Sequence, residues 1–324
     1  MTLRAVIRGT GHYLPERVVE NDWFATFLDT SDEWIRSRSG IERRHFAAEG
    51  ETTSHLAIHA ARAALADAGL EPGDMDAVIV ATSTPDLTFP SVATMVQAGL
   101  GMETGFAFDI QAVCAGFVYA LANANALIVS RQARRILVIG AETFSRIMNW
   151  EDRATCVLFG DGAGAVVLEA QEGDGTNADR GILACDLHSD GRLREILQVT
   201  GGVSATREAG TLTMAGKEVF RHAVEKLARS TQDVMAKAGL GLSDIERVVP
   251  HQANLRIIQR TADKLGVSME KVVVTVQDHG NTSAASIPLA MSVAARSGQL
   301  RPGHLTVTEA IGGGLAWGAV VLRW

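Results

Sequence analysis

Three side chains in this sequence have the types and surroundings of a nucleophile and two hydrogen-bond donors: Cys114, His251 and Asn281. Cys114 stands in Asp109-Ile110-Gln111-Ala112-Val113-Cys114-Ala115-Gly116-Phe117, where an apolar strand end gives way to a stretch that is apolar on every side as far as Val129. Unpaired backbone N–H groups and the dipole at such a helix start stabilise a thiolate and can hold a developing oxyanion. A cysteine there can equally be a small buried hydrophobe, so the choice depends on residues further along. His251 lies just past the apolar run Val248-Val249-Pro250, at a strand end where functional groups of α/β sheets gather. Asn281 sits in the Gly- and Ser-rich turn His279 to Ser286, which taken alone reads as a helix cap. Ala310 to Gly318 carries three glycines in a row, Gly312, Gly313 and Gly314, a run that lets backbone N–H groups approach a ligand or simply makes a tight turn. The other histidines, His55 and His222 among them, read as structural.

The elements that must position these groups follow from apolar spacing. Leu3 to Gly9 alternates as a strand, and Gly9 to Pro15 reads as loop. Ser31-Asp32-Glu33-Trp34-Ile35 has the pattern of a capped helix start, followed by Arg36, Arg38, Arg43 and Arg44. Such a cluster is a solvated face, or with Trp34 a stacking and charge-pairing site for a nucleotide phosphate. Thr53 to Gly69 is apolar at helical spacing, and Asp76 to Thr82, Arg134 to Gly140 and Gly164 to Leu168 read as buried strands. Gly160-Asp161-Gly162-Ala163-Gly164 is loosely like a dinucleotide loop, but a strand follows where that fingerprint needs a helix. It is assigned to a hairpin-like turn.

The chain also resembles itself. Ala68-Gly69-Leu70, Asp74 and Val78 match Ala238-Gly239-Leu240, Asp244 and Val248 at an offset of 170 residues, and Arg135 to Ile139 falls on Leu305 to Glu309 at the same offset. Gly164 to Leu168 resembles Gly318 to Leu322, where the offset has fallen to 154. Two similar βα halves are expected, 1–172 and 173–324, joined at a connector near Gly173 to Asn177. The alignment sets Ala81 against His251 and Gln111 against Asn281. Halves packed as pseudo-symmetric partners bring these loops to one end of the sheets, where Cys114, His251 and Asn281 converge.

Composition excludes several classes. The net charge of −7 argues against a general nucleic-acid or anionic-membrane partner, so a polyanionic partner would need a local basic patch. Three widely spaced cysteines, Cys114, Cys156 and Cys185, support neither a disulfide framework nor a CxxC metal site and suit a reducing cytoplasm. The start of the chain has no signal-peptide pattern. The longest apolar run is broken by Asn123 and Asn125, short of a membrane span.

Together these stretches resemble the thiolase-fold condensing enzymes, most closely the β-ketoacyl-acyl-carrier-protein synthase III family. The likeness runs through Thr30 to Ile35, Phe89-Pro90-Ser91, the Cys114 stretch, Phe159 to Ala165, His251-Gln252-Ala253-Asn254, Gly280-Asn281-Thr282-Ser283 and the triple glycine. It implies an α/β, thiolase-like fold, with the two halves packed as αβαβα layers. In activity it implies that Cys114 as thiolate takes an acyl group, acetyl above all, from acyl-CoA, with the N–H groups of Cys114 and Gly313 as oxyanion hole. Malonyl-acyl-carrier protein is then decarboxylated, and neutral His251 and Asn281 hold the enolate oxygen. The acyl-Cys is attacked to give a 3-ketoacyl-carrier protein, the first condensation of type II fatty-acid synthesis. Cys-His-Asn marks this branch against the elongating synthases with Cys-His-His.

The resemblance further implies that Trp34 and Arg153 sandwich the CoA adenine, aided by Arg38, that Asn254 lines the pantetheine tunnel, and that Arg221 and Arg256 dock the acidic carrier protein. Phe89 would close the acyl pocket of a neighbouring subunit, which implies a homodimer. No metal and no cofactor is implied, CoA thioester being substrate. Two positions depart from the family pattern: Lys217 stands where Asn is common, and Leu315-Ala316 replaces Phe-Thr. A degradative thiolase would need a second cysteine near the C-terminal glycines, and none is there. A papain-like hydrolase shares the Cys, His, Asn order but not the local signatures. A catalytically silent scaffold and a synthase for a specialised polyketide or quinolone product remain as alternatives.

Overall fold

Alternation at a period of two sorts the strand side chains of this chain onto two buried faces, and the helices are placed accordingly. The computed structural model describes residues 2–324. Its principal strands are β1 (Thr2–Tyr13), β2 (Ala77–Ala81), β3 (Phe106–Ile110), β4 (Arg135–Thr143), β5 (Asp161–Gly173), β6 (Gly181–Ser189), β7 (Arg247–Pro250), β8 (Leu305–Gly312) and β9 (Ala316–Arg323). Its principal helices are α1 (Asp32–Ser39), α2 (Thr53–Ala68), α3 (Val92–Leu100), α4 (Gly116–Val129), α5 (Gly216–Lys237), α6 (Leu255–Leu265) and α7 (Ser286–Arg296).

One sheet runs β1-β5-β4-β2-β3 and the other β7-β8-β9-β6. The second repeats the first: β2 and β4 are parallel, as are β7 and β8, while β4/β5 and β8/β9 are antiparallel. A parallel bridge between Val248 and Val272 stands where β3 pairs with β2 in the first half. Ala77, Ile79 and Ala81 of β2 face a cluster shared with α4, α7 and the second sheet, whereas Val78 and Val80 face α2 and α3. Helices α4 and α7 thus lie between the sheets, α2 and α3 cover one outer face, and α5 covers the other. The result is the αβαβα layering expected of a thiolase-like chain. No helix among the described residues is long and apolar enough to cross a membrane.

Two local readings are corrected. Gly9 to Tyr13 is strand, continuing β1 beyond a bulge at Ile7/Gly9 and pairing with β5 to Tyr13/Ala163. Gly160 to Gly164 is the run into β5, with no hairpin turn. Gly164 answers to neighbouring backbone: a Cβ there would lie 2.4 Å from Leu289 N, so glycine lets α7 seat against the sheet. The capped start of α1 is as expected, with Ser31 accepting from Trp34 N.

A ribbon of Arg17–Glu20 and Arg43–Phe46 packs through Val19 and Phe46 in one cluster with Phe144, Val157 and Phe159. Arg44 pins it there. Its guanidinium is fully buried and donates to Asn21 Oδ1 at 2.7 Å and to the carbonyls of Val19 and Val157. It lies 4.7 Å from the Phe24 ring centroid, and burial pushes its pKa down to about 9. Arg44→Ala orphans these acceptors and opens a void, so a loss of about 3 kcal/mol is expected, read as a lower urea midpoint.

Candidate active site

Cys114 is the middle residue of a 3-10 turn, Val113–Ala115, that leads into α4, and Val113 before it has a φ of +49°. The same device recurs 170 residues later: the turn Ser283–Ala285 leads into α7, and Ser283 has a φ of +48°. Left-handed backbone at a non-glycine residue is costly and persists where packing over-determines it, commonly at functional sites. The two turns pack on each other at the centre of the molecule, between the two sheets.

His251 follows β7, its N–H donating to Glu309 O of β8 at 2.8 Å. Asn281 is tied to the run into β5, its N–H donating to Leu158 O at 2.8 Å and its carbonyl accepting from Gly160 N at 3.0 Å. Cys114, His251 and Asn281, each nearly buried, border one cavity of about 520 Å³. At its exposed rim stand Arg38, Lys217 and Arg256, with half-buried Trp34 and Asn254.

Hydrogen bonds orient both donors. Asn281 Oδ1 accepts from Ser283 N at 2.9 Å, which leaves the amide NH₂ free to donate. His251 Nδ1 lies 2.6 Å from Ser286 Oγ, and that oxygen accepts from Gln252 N at 3.2 Å. With the Ser286 O–H donating to Nδ1, the proton of the neutral ring sits on Nε2. Burial pushes the His251 pKa down to about 3, so the ring is neutral throughout the physiological range. Gln252 is fully buried and holds the loop, bonding Pro250 O, Val273 O, Thr275 N and Val276 N.

The thiol differs from expectation. Burial pushes Cys114 up to about 12, opposed by a hydrogen bond with Ser283 and reinforced by the negative charge of Glu142. Burial therefore favours the neutral thiol over a resting thiolate. The backbone packed on the Cys114 amide is that of Gly312, where a Cβ would lie 2.6 Å from Cys114 N. Gly313 borders the adjoining cavity of about 980 Å³, which shares Val113, Phe144, Leu197 and Leu212 with the first.

The remaining residues are placed as follows. The Arg38 and Arg153 guanidiniums lie 4.4 and 5.2 Å from the Trp34 ring centroid. An adenine between Trp34 and Arg153 needs about 7 Å, two van der Waals separations, so Arg153 has to leave its contacts with Asp29 to admit one. Asn254 caps α6, accepting from Arg256 N at 2.8 Å and donating to Arg38 O at 3.0 Å. Phe89 is 82% exposed and is not among the residues that line the 520 Å³ cavity. Arg221 and Arg256 form no salt bridge among the described residues; Arg221 lies against His222 and Arg256 over Phe220. Asp186, His188 and Asp233 come close enough together to suit a metal ion, yet Lys237 and Arg229 already ion-pair with the two aspartates.

Ser283 and Ser286 lie within motifs read from the sequence, but without roles. Glu142 belongs to none of those motifs; its signal in the sequence is a single carboxylate near the end of the apolar strand Arg135–Thr143.

The family profiles described as 3-Oxoacyl-[acyl-carrier-protein (ACP)] synthase III and 3-Oxoacyl-[acyl-carrier-protein (ACP)] synthase III C terminal match residues 108–191 and 235–324. The chain is 72% identical over 324 residues, 100% of both chains, to a Rhodobacter capsulatus protein named Beta-ketoacyl-[acyl-carrier-protein] synthase III. Among solved structures it is similar to 3-oxoacyl-[acyl-carrier-protein] synthase III from Aquifex aeolicus VF5, with a TM-score of 0.93 and 46% identity, covering 99% of this chain and 100% of that one. The corresponding protein from Pseudomonas aeruginosa PAO1 gives a TM-score of 0.93 and 44% identity, covering 99% and 98%.

Proposed function

Because the chain belongs to the 3-oxoacyl-[acyl-carrier-protein] synthase III family, and so is an acyltransferase that catalyses the initiating condensation of type II fatty-acid synthesis, we propose that Cys114, His251 and Asn281 carry the reaction. The observation that supports this is their convergence, from both halves, on one cavity. An acyl-CoA thioester, acetyl-CoA foremost, enters as substrate with its nucleotide at Trp34, Arg38 and Arg153 and its arm past Asn254. Cys114 sulfur attacks the thioester carbonyl, and the N–H groups of Cys114 and Gly313 receive the oxyanion. CoA leaves. Malonyl-acyl-carrier protein docks at Arg221 and Arg256, the local basic patch that an acidic chain requires.

Decarboxylation of the malonyl group gives an enolate, whose oxygen accepts from His251 Nε2–H and Asn281 Nδ2–H. Both donors are neutral, so they stabilise the charge as it forms without ion-pairing the malonyl carboxylate. The enolate carbon attacks the acyl-Cys, releasing Cys114 and 3-ketoacyl-carrier protein. No cofactor takes part in this scheme. We take 1–172 and 173–324 as the two repeats and the chain as a cytoplasmic homodimer, in which exposed Phe89 of each copy closes the acyl pocket of the other. The specialised-product reading is not favoured, since relatives 70 to 72% identical over the full length carry the synthase III name.

Intact-protein mass spectrometry after mixing with acetyl-, butyryl-, isobutyryl- and octanoyl-CoA tests this. One acyl adduct on Cys114, discharged by malonyl-carrier protein, is expected. An adduct discharged only by another acceptor would move the assignment to a specialised synthase, and no adduct would sink it.

A further inference from the structure

Glu142, near the end of β4, is completely buried beside the nucleophile. Its carboxylate accepts from Thr84 Oγ1 at 2.6 Å, Thr82 Oγ1 at 3.3 Å, Ser83 N at 3.1 Å and Ser283 Oγ at 3.1 Å. All are neutral donors. On the paired strand β5, Gly162 stands opposite it, and Thr53 of α2 is engaged with Thr84 and Thr143. Asp86 is held by Ser54 and His251 by Ser286, so the titratable group facing Glu142 is Cys114. A buried carboxylate without a cation is expensive, and such groups concentrate at functional sites.

Ser283 connects the two. Its N–H orients Asn281 and its hydroxyl donates to Glu142, while the turn that carries it packs against the turn that carries Cys114. His251 is a poor alternative acceptor, because Nδ1 is occupied by Ser286 and burial makes its conjugate acid far too strong. Glu142, lifted by burial to about 7, retains a proton much better.

We propose that Ser283 and Glu142 form a proton relay that takes the Cys114 proton during acylation and returns it during condensation. In acylation the Sγ–C(acyl) bond forms and the C–S bond to CoA breaks. The thiol proton passes to Ser283 Oγ as the Ser283 proton passes to Glu142, and CoA departs as thiolate, taking a proton from water. In condensation the enolate carbon displaces Cys114 sulfur, and Glu142 returns the proton through Ser283. Over both steps one solvent proton is taken up, by CoA.

This deepens the proposed reading and rests on Cys114 being the acylated residue. The test follows two rates between about pH 5.5 and 9: single-turnover acylation by acetyl-CoA and Cys114 alkylation by iodoacetamide. In the unmodified enzyme both rates rise with pH through a midpoint near 7, as Glu142 becomes able to accept a proton. In Glu142→Gln both fall about tenfold or more at neutral pH and lose that midpoint. Ser283→Ala keeps the carboxylate and the N–H that orients Asn281, and is expected to show the same loss, so it decides the matter should Glu142→Gln fail to fold. Glu142→Asp is expected to keep the midpoint at a reduced rate.

A merely electrostatic neighbour would act oppositely. Removing its negative charge makes the thiol more acidic, so faster or unchanged reaction in Glu142→Gln, or a retained midpoint in Ser283→Ala, overturns the relay. Unmodified enzyme that alkylates with the midpoint but is never acylated by acetyl-CoA would instead refute the acyl-transfer reading.

Discussion

Cys114→Ala is expected to lose the acyl adduct entirely and to lower condensation by at least about 10³-fold, because no other group can hold the acyl chain covalently between the two half-reactions. The same variant is expected to keep decarboxylating malonyl-carrier protein within a few-fold of the parent, since His251 and Asn281 are oriented by Ser286 and Ser283 and not by the thiol. The measurement is paired: acyl adduct by mass, and CO₂ release with labelled malonyl-carrier protein. Ala at a position only 4% exposed removes one sulfur atom and leaves the 3-10 turn intact, so a folded protein is expected by circular dichroism. Condensation that survived in Cys114→Ala would refute covalent acyl transfer through this residue.

Asn281→Ala and His251→Ala are expected to give the complementary pattern. Each keeps the nucleophile and so still acylates, but loses a donor to the enolate oxygen. The loss of one such donor corresponds to about 10²–10³ in rate, or about 3 kcal/mol. The double variant should cost less than the sum, since the two donors hold one oxygen. Asn281→Asp is expected to be worse than Asn281→Ala, because a carboxylate would face the developing negative charge. Decarboxylation should also stay flat as pH falls from about 8 to 5, because burial pushes the His251 pKa down to about 3.

The sign for stability follows from the same depression. Unfolded His251 takes up a proton below about 6.5 while the folded ring stays neutral. Its contribution is therefore complete above about 6.5 and is lost as pH falls from there toward 3. A rate that tracked protonation near 6.5 would show a solvated imidazole instead.

Much of the architecture is readable from local pattern. The 170-residue offset predicts paired elements, and the structure has them: 3-10 turns at Pro72–Asp74 and Leu242–Asp244, left-handed caps at Gly69 and Gly239, and the turns at Cys114 and Ser283. Strand interiors are recovered because continuous apolar runs have few alternatives in a sheet covered on both sides. Glycine-rich stretches mislead. At Gly9, Gly11 and Gly164 the absence of a side chain signals a turn by local rules, whereas its cause is the backbone of α2 or α7 pressed against a strand.

The sequence by itself shows the α/β repeat, through its recurrence along the chain, and marks Cys114, His251 and Asn281 as the candidate reacting side chains, through motifs that resemble those of the family. Tertiary structure decided their chemical state. Whether Cys114 rests as thiol, which nitrogen of His251 carries the proton and which way Asn281 points depend on burial and on partners such as Ser286, 35 residues away, and Ser283. The Ser283–Glu142 bond spans 141 residues. Desolvation and hydrogen bonding act through space, so charge state and donor direction appear only once both halves are packed together.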